Sequence, residues 1–142
     1  MTAGITEKAL NILLVEDDQV DVMNVRRAFE KNRIANPLFL AANGVEALDM
    51  LRSHKLPEER RIVLLDLNMP KMNGLEFLRE IRADPTLHAT VVIVLTTSSD
   101  ERDKVEAYNL NVAGYLLKPV TFVNFVETMA ALNKYWTLVE LP

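Results

Sequence analysis

An α/β fold, with a parallel sheet buried between layers of helices, is what this sequence predicts, and three observations carry that prediction. Apolar runs at residues 11–15, 62–65 and 91–95 lack polar alternation, as strands covered on both faces do. Between and after them recur stretches with apolar residues at helical spacing, so strand and helix alternate five times. That order implies right-handed crossovers and helices on both faces of the sheet. Finally, 142 residues, 49% apolar and 25% charged, suit a single domain with a substantial core.

Each element has its own signature. Residues 1–10 read as a polar lead-in. The first strand, 11–15, runs into Glu16-Asp17-Asp18. Val20, Val22, Met23, Val25, Ala28 and Phe29 then repeat at helical spacing, with Asp18 placed to cap that helix. After Asn36-Pro37 comes a short strand, 38–41, and Asn43-Gly44 opens a helix carrying Val45, Leu48, Met50 and Leu51. A polar loop, 53–60 (SHKLPEER), precedes the central strand. Asp66 ends that strand, and Asn68, Pro70, Asn73 and Gly74 write an irregular loop. Leu75, Phe77, Leu78 and Ile81 form the buried side of the next helix, which Asp84-Pro85 stops.

The strand at 91–95 closes in Thr96-Thr97-Ser98-Ser99-Asp100. The helix at about 100–109 is strongly charged (DERDK) and only thinly apolar, through Val105, Ala107 and Tyr108. So narrow an apolar stripe holds a helix weakly to its sheet and leaves it free to shift or to engage a partner. Residues 114–117 form a fifth strand that ends in Lys118-Pro119. Phe122, Val123, Phe125, Val126, Met129 and Leu132 mark the last helix. The division expected is a lead-in at 1–10, one domain at 11–134, and a tail at 135–142 that carries the only Trp. Five such strands fit the flavodoxin-like order 2-1-3-4-5, a (βα)5 sheet whose ligand crevice opens between strands 1 and 3.

Composition excludes several functions. Acidic residues outnumber basic ones 20 to 16, for a formal charge of −4, which argues against nucleic acid or an anionic membrane as partner. The absence of cysteine removes thiol nucleophiles, disulfides and thiolate metal sites. The start of the chain has neither the basic nor the apolar region of a signal peptide. No apolar run approaches a membrane span. The expected location is cytoplasmic. His54 and His88 lie in polar loops, and neither belongs to a triad or a metal pair.

What remains is a set of strand ends. Glu16, Asp17, Asp66, Thr96 and Lys118 meet at one edge of the predicted sheet, where sites in open α/β folds lie. Singly, each has an ordinary explanation: an Asp after a strand caps a turn, and Thr is a good strand residue. Together they place crowded carboxylates beside a hydroxyl and a compact positive charge. Such carboxylates repel unless a cation neutralises them. With only oxygen donors on offer, the fitting ion is hard: Mg²⁺, with Mn²⁺ or Ca²⁺ as substitutes. The chemistry this set suits is formation and stabilisation of an aspartyl phosphate on Asp66.

At ILLVEDD, LLDLNMPKMNG, VIVLTTSS and GYLLKPV the sequence resembles the receiver domains of two-component response regulators, over about residues 10–134. The resemblance implies that Asp66 is the phosphoacceptor, with Asp17 a direct metal ligand and Glu16 assisting. It makes the main-chain carbonyl of Asn68 the remaining ligand, and Thr96 and Lys118 the groups that meet the phosphoryl oxygens. Tyr115 matches the aromatic whose rotamer follows the threonine, and the Lys118–Pro119 peptide is expected to be cis. Two departures stand out: Glu16 where Asp is common, and Thr97 where a small residue is usual. The 53–60 loop and the tail are similar to the small regulators that partner cyanobacterial phytochromes.

The resemblance implies a single-domain signalling protein, not an enzyme acting on other substrates. Its phosphodonor would be a sensor histidine kinase, of the phytochrome type, or a phosphotransfer protein. No output domain fits after residue 134, so output is expected through protein contacts with a downstream partner or a second copy of the chain. The rival from the residues themselves is a phosphatase using Asp66 on small phosphate esters. Such a site needs a general acid two residues on, and Asn68 cannot supply that proton. A binding-only receiver would not require the complete acid, hydroxyl and lysine set.

Overall fold

In a computed structural model that describes residues 10–142, a five-stranded parallel sheet runs in the order β2-β1-β3-β4-β5. The strands are β1 (Asn11–Val15), β2 (Leu38–Ala41), β3 (Arg61–Leu65), β4 (Val91–Thr96) and β5 (Gly114–Leu117). The helices are α1 (Gln19–Lys31), α2 (Gly44–Arg52), α3 (Gly74–Ala83), α4 (Glu101–Asn109) and α5 (Phe122–Leu138). All strand pairs are parallel, with Ile12 opposite Leu38 and Ile62, and Val63 opposite Val92. The expected strand order is the observed one. Of the predicted lead-in, residues 1–9 lie outside the described residues.

The unalternated runs divide between two cores, because successive side chains in a strand point to opposite faces. Leu13, Val15, Val63, Leu65, Val92 and Val94 face Leu48, Phe77 and Ile81 on α2 and α3. Ile12, Leu14, Ile62, Leu64, Ile93 and Leu95 face Val25 and Phe29 of α1 and Phe125 and Met129 of α5. Local chemistry starts each helix. The Asp18 carboxylate accepts from the Val20 and Asp21 amides, and Asn73 with Glu76 forms a reciprocal capping box at α3.

Several positions differ from the helical pattern. Val20, Met23, Val45, Val105 and Tyr108 are exposed, and in α4 only Ala107 is buried. Leu56, inside the loop read as polar, is buried beneath it. α5 continues through Leu138, past residue 134. Trp136 lies at 1% exposure against Phe29, edge to face with ring centroids 6.2 Å apart. Trp136 therefore packs on its own domain, while Tyr135 and Leu138 are exposed, and beyond them the Pro142 carbonyl accepts from the Arg60 amide at 3.0 Å. The Lys118–Pro119 peptide is not cis; every peptide among the described residues is trans. The two isomers before proline differ by only about 0.5–1 kcal/mol, so neighbouring sequence does not decide between them.

Candidate functional site at the carboxyl edge of the sheet

Backbone pairing continues one residue beyond the strands, and that brings the site together. The Glu16 amide donates to the Ala41 carbonyl, that of Asp66 to Val15, and that of Lys118 to Thr96, at 2.8–3.0 Å. Three charged side chains are thereby fixed at one edge of the sheet. The loop after Asp66 closes back tightly, with the Gly74 amide donating to the Leu67 carbonyl at 3.0 Å. A Cβ on Gly74 would fall 2.5 Å from the Asp66 carbonyl oxygen, so only glycine fits at the start of α3. Gly44 meets the same loop, and its Cβ would fall 2.9 Å from the Met72 carbonyl oxygen.

Asp66 is buried and receives donors on both carboxylate oxygens. Thr96, fully buried at the end of β4, donates its hydroxyl to Oδ1 at 2.9 Å, and the Lys118 ammonium reaches Oδ2 at 3.3 Å. The Asn68 amide also lies 3.3 Å from Oδ1. The turn-capping explanation of Asp66 is thus realised alongside its contacts to Thr96 and Lys118. Carboxylate oxygens of Glu16, Asp17 and Asp66 lie within 4.8 Å of one another, Asp17 being the exposed member. Close packing of three carboxylate oxygens, with Lys118 the one cation paired to them among the described residues, suits a hard divalent ion.

The electrostatics reflect that crowding. Burial and the nearby charge of Asp66 push the Glu16 carboxyl up from 4.5 to about 7, against the opposing pull of its bond to Lys118. Burial acts to lower the Lys118 ammonium, yet hydrogen bonds to Asp21 and Glu16 and the charge of Asp66 leave it raised. Lys118 contacts Glu16 at 2.6 Å and Asp21 at 2.7 Å, both closer than Asp66. Asp21 is the site residue that sequence reasoning missed. Its signal was its place in the first turn of α1, one helical turn beyond Asp17-Asp18.

A second chain of hydrogen bonds leads outward. The Ser98 amide donates to the Thr96 hydroxyl at 3.3 Å, and the Tyr115 hydroxyl donates to the Ser98 carbonyl at 2.8 Å. The Ser98 hydroxyl bonds Asp103 in the first turn of α4 at 2.7 Å. Burial raises the Tyr115 phenol, partly offset by that bond. Thr97 and Asn68 are exposed beside Asp66. His54 and His88 are exposed and belong to loops away from these contacts.

A parallel sheet of this order with acids, a hydroxyl and a lysine gathered at its carboxyl edge defines the receiver class of α/β signalling domains. The chain belongs to the response regulator receiver family, whose model, the response regulator receiver domain, matches residues 12–130. It is 40% identical over 130 residues to a probable methanogenesis regulatory protein, FilR2, of Methanothrix harundinacea, covering 88% of this chain and 82% of that one. It is 34% identical over 135 residues to response regulator Rcp1 of Synechocystis sp., covering 92% of each. Among solved structures, the phosphorylated cyanobacterial phytochrome response regulator RcpA superposes with a TM-score of 0.86 at 31% identity, covering 95% of this chain and 99% of that one. The Mn²⁺-bound form of Rcp1 gives 0.82 at 34%, covering 94% and 99%.

Proposed function

We propose that this chain is a response regulator that accepts a phosphoryl group on Asp66 and signals by changing its protein contacts. The observation that carries the reading is the Asp66 carboxylate itself, buried, and held by the Thr96 hydroxyl and the Lys118 ammonium at 2.9 and 3.3 Å. An Asp66 oxygen attacks the phosphorus of a phosphohistidine in line. The new O–P bond forms as the P–N bond breaks, and its electron pair returns to the imidazole. Glu16, Asp17, Asp66 and the main-chain carbonyl of Asn68 would hold the divalent ion, Mg²⁺ in our reading. When bound, that ion neutralises charge on the phosphoryl oxygens. Lys118 pairs with one phosphoryl oxygen and Thr96 donates to another.

The phosphoryl group brings added negative charge and draws on the Thr96 hydroxyl. Thr96 is tied to Ser98, Ser98 to Tyr115, and Ser98 again to Asp103 of α4. Phosphorylation therefore shifts the population between two packings of α4, β5 and α5. That surface exposes Val105, Tyr108, Leu117, Val120 and Val123. We assign it the downstream contact and the contact with a second copy of the chain. The likeness to RcpA, a phytochrome response regulator by description, supports a phytochrome-type histidine kinase as donor, acting in the cytoplasm. Among the described residues no helix is long and apolar enough to cross a membrane.

The test is intact mass after exposure to acetyl phosphate, with Mg²⁺ or with chelator, for wild type and Asp66→Asn. One phosphoryl adduct is expected, dependent on Mg²⁺ and absent from the variant. No adduct under any condition would leave a receiver fold used only for binding. Phosphotransfer from a phytochrome kinase, compared with a sensor kinase lacking a photoreceptor, then decides the donor class; faster transfer from the latter would overturn the phytochrome-type donor.

A further inference from the structure

Asp21 has no part in the reading above, yet it makes one of the two shortest contacts to Lys118. We infer that Asp21 is a positioning residue, a resting partner that occupies one donor of the Lys118 ammonium beside Asp66 until a phosphoryl group competes for it. The inference rests on the phosphoacceptor reading of Asp66.

The Lys118 backbone is fixed by its bond to Thr96, so only the side chain can move. An ammonium has three donors, and here Glu16, Asp21 and Asp66 share them at 2.6, 2.7 and 3.3 Å. A phosphoryl oxygen can bond Lys118 only by displacing one of these carboxylates. The Glu16 and Asp66 side chains are 3% and 5% exposed, whereas Asp21 is 22% exposed. Losing a partner costs most where water cannot replace it, so Asp21 is the one that lets go cheaply. Its position in the first turn of α1 also keeps it comfortable as a free anion, since the helix dipole favours negative charge there. A phosphoryl group, carrying about −1.5 to −2 in charge, outcompetes a single carboxylate, and Lys118 swings from Asp21 to it. Asp21 therefore sets how readily the site takes a phosphoryl group, without touching that group itself.

The test is a double-mutant cycle between Asp21→Asn and Lys118→Ala, read as the affinity for beryllofluoride, a non-covalent phosphoryl mimic. It is followed by ¹⁹F NMR at saturating Mg²⁺, with urea midpoints confirming that each variant folds. With Lys118 present, Asp21→Asn should tighten binding roughly fivefold, the worth of a partly exposed ion pair. In the Lys118→Ala background the same change should alter affinity less than about twofold, and Asp21→Glu should restore the wild-type value. If Lys118→Ala binds the mimic too weakly to titrate, acetyl phosphate labelling rates of the same proteins complete the cycle. Equal tightening in both backgrounds would make Asp21 a mere source of repulsion and overturn the inference. So would unchanged or weaker binding by Asp21→Asn alone. Failure of the underlying reading looks different: wild type itself would take neither mimic nor phosphoryl group.

Discussion

Glu16 offers a prediction whose sign and size both follow from its surroundings. Burial and Asp66 raise its carboxyl from 4.5 to about 7. In the metal-free protein the native state thus holds a proton that the unfolded chain has shed. Stability from this group is complete below about pH 4.5 and is lost as pH rises through about 7. At 1.36 kcal/mol per unit, the loss between pH 5 and pH 8 is about 2–3 kcal/mol. Lys118, being raised, stays charged throughout that window and adds no slope. The assay is urea unfolding in chelator across that range, followed by fluorescence of the buried Trp136, for wild type and Glu16→Gln. Wild type should lose about 2–3 kcal/mol relative to the variant from acid to alkaline pH. Excess Mg²⁺ should reverse the trend, because the ion competes with the proton for Glu16. A wild-type-minus-variant difference that stays flat with pH would refute the reasoning.

Gly74→Ala should destabilise the fold by about 1–3 kcal/mol and weaken Mn²⁺ binding, since its Cβ would press 2.5 Å from the Asp66 carbonyl; urea unfolding and Mn²⁺ titration check both. Trp136→Ala should cost about 3–5 kcal/mol while leaving acetyl phosphate labelling of the surviving folded fraction intact, because the indole packs on Phe29 in the core away from the site. A loss of under about 1 kcal/mol would mean that residues 135–138 are dispensable to the fold. Tyr115→Ala should leave labelling of Asp66 within about twofold but remove the phosphorylation-dependent change in partner binding, because it cuts the link from Ser98 to β5. Unchanged coupling, measured by calorimetry against the partner or by self-association, would count against that route.

The sheet could be read from the sequence because parallel strands buried on both faces leave an unmistakable run of apolar residues, as Ile62 to Leu65 do. Glu16, Asp66 and Thr96 followed from that reading, since each stands one residue from the end of a buried run, and Lys118 from its place just after the short, partly buried β5. Asp21 was hidden for the opposite reason. It belongs to a helix, and whether it faces Lys118 or solvent depends on where α1 sits over the sheet. Trp136 was hidden too: α5 runs on to Leu138 with an apolar composition that gives no stop signal, and only the packing against Phe29 shows that this one residue of its last turn belongs to the core. The isomer of the Lys118–Pro119 bond was beyond reach because its energy difference is smaller than that of most tertiary contacts.

The weak apolar stripe of α4 gains meaning from what holds the helix in place. A switch needs one element that is cheap to move and a connection that reaches it. With Ala107 its only buried residue, α4 is held largely by side chains: Arg79 pairs with Glu106, and Arg82 donates to the Leu110 and Asn111 carbonyls just past its end. Those contacts fix the carboxyl end of α4 to α3. Its amino end is tied instead to the site, through Asp103, Ser98 and Thr96. One end is anchored to the scaffold and the other to Asp66's own hydrogen-bond partner. On the proposed phosphoacceptor reading, a shift of Thr96 would pivot α4 about its carboxyl end, with the largest displacement near residues 100–103, where exposed charges face a partner.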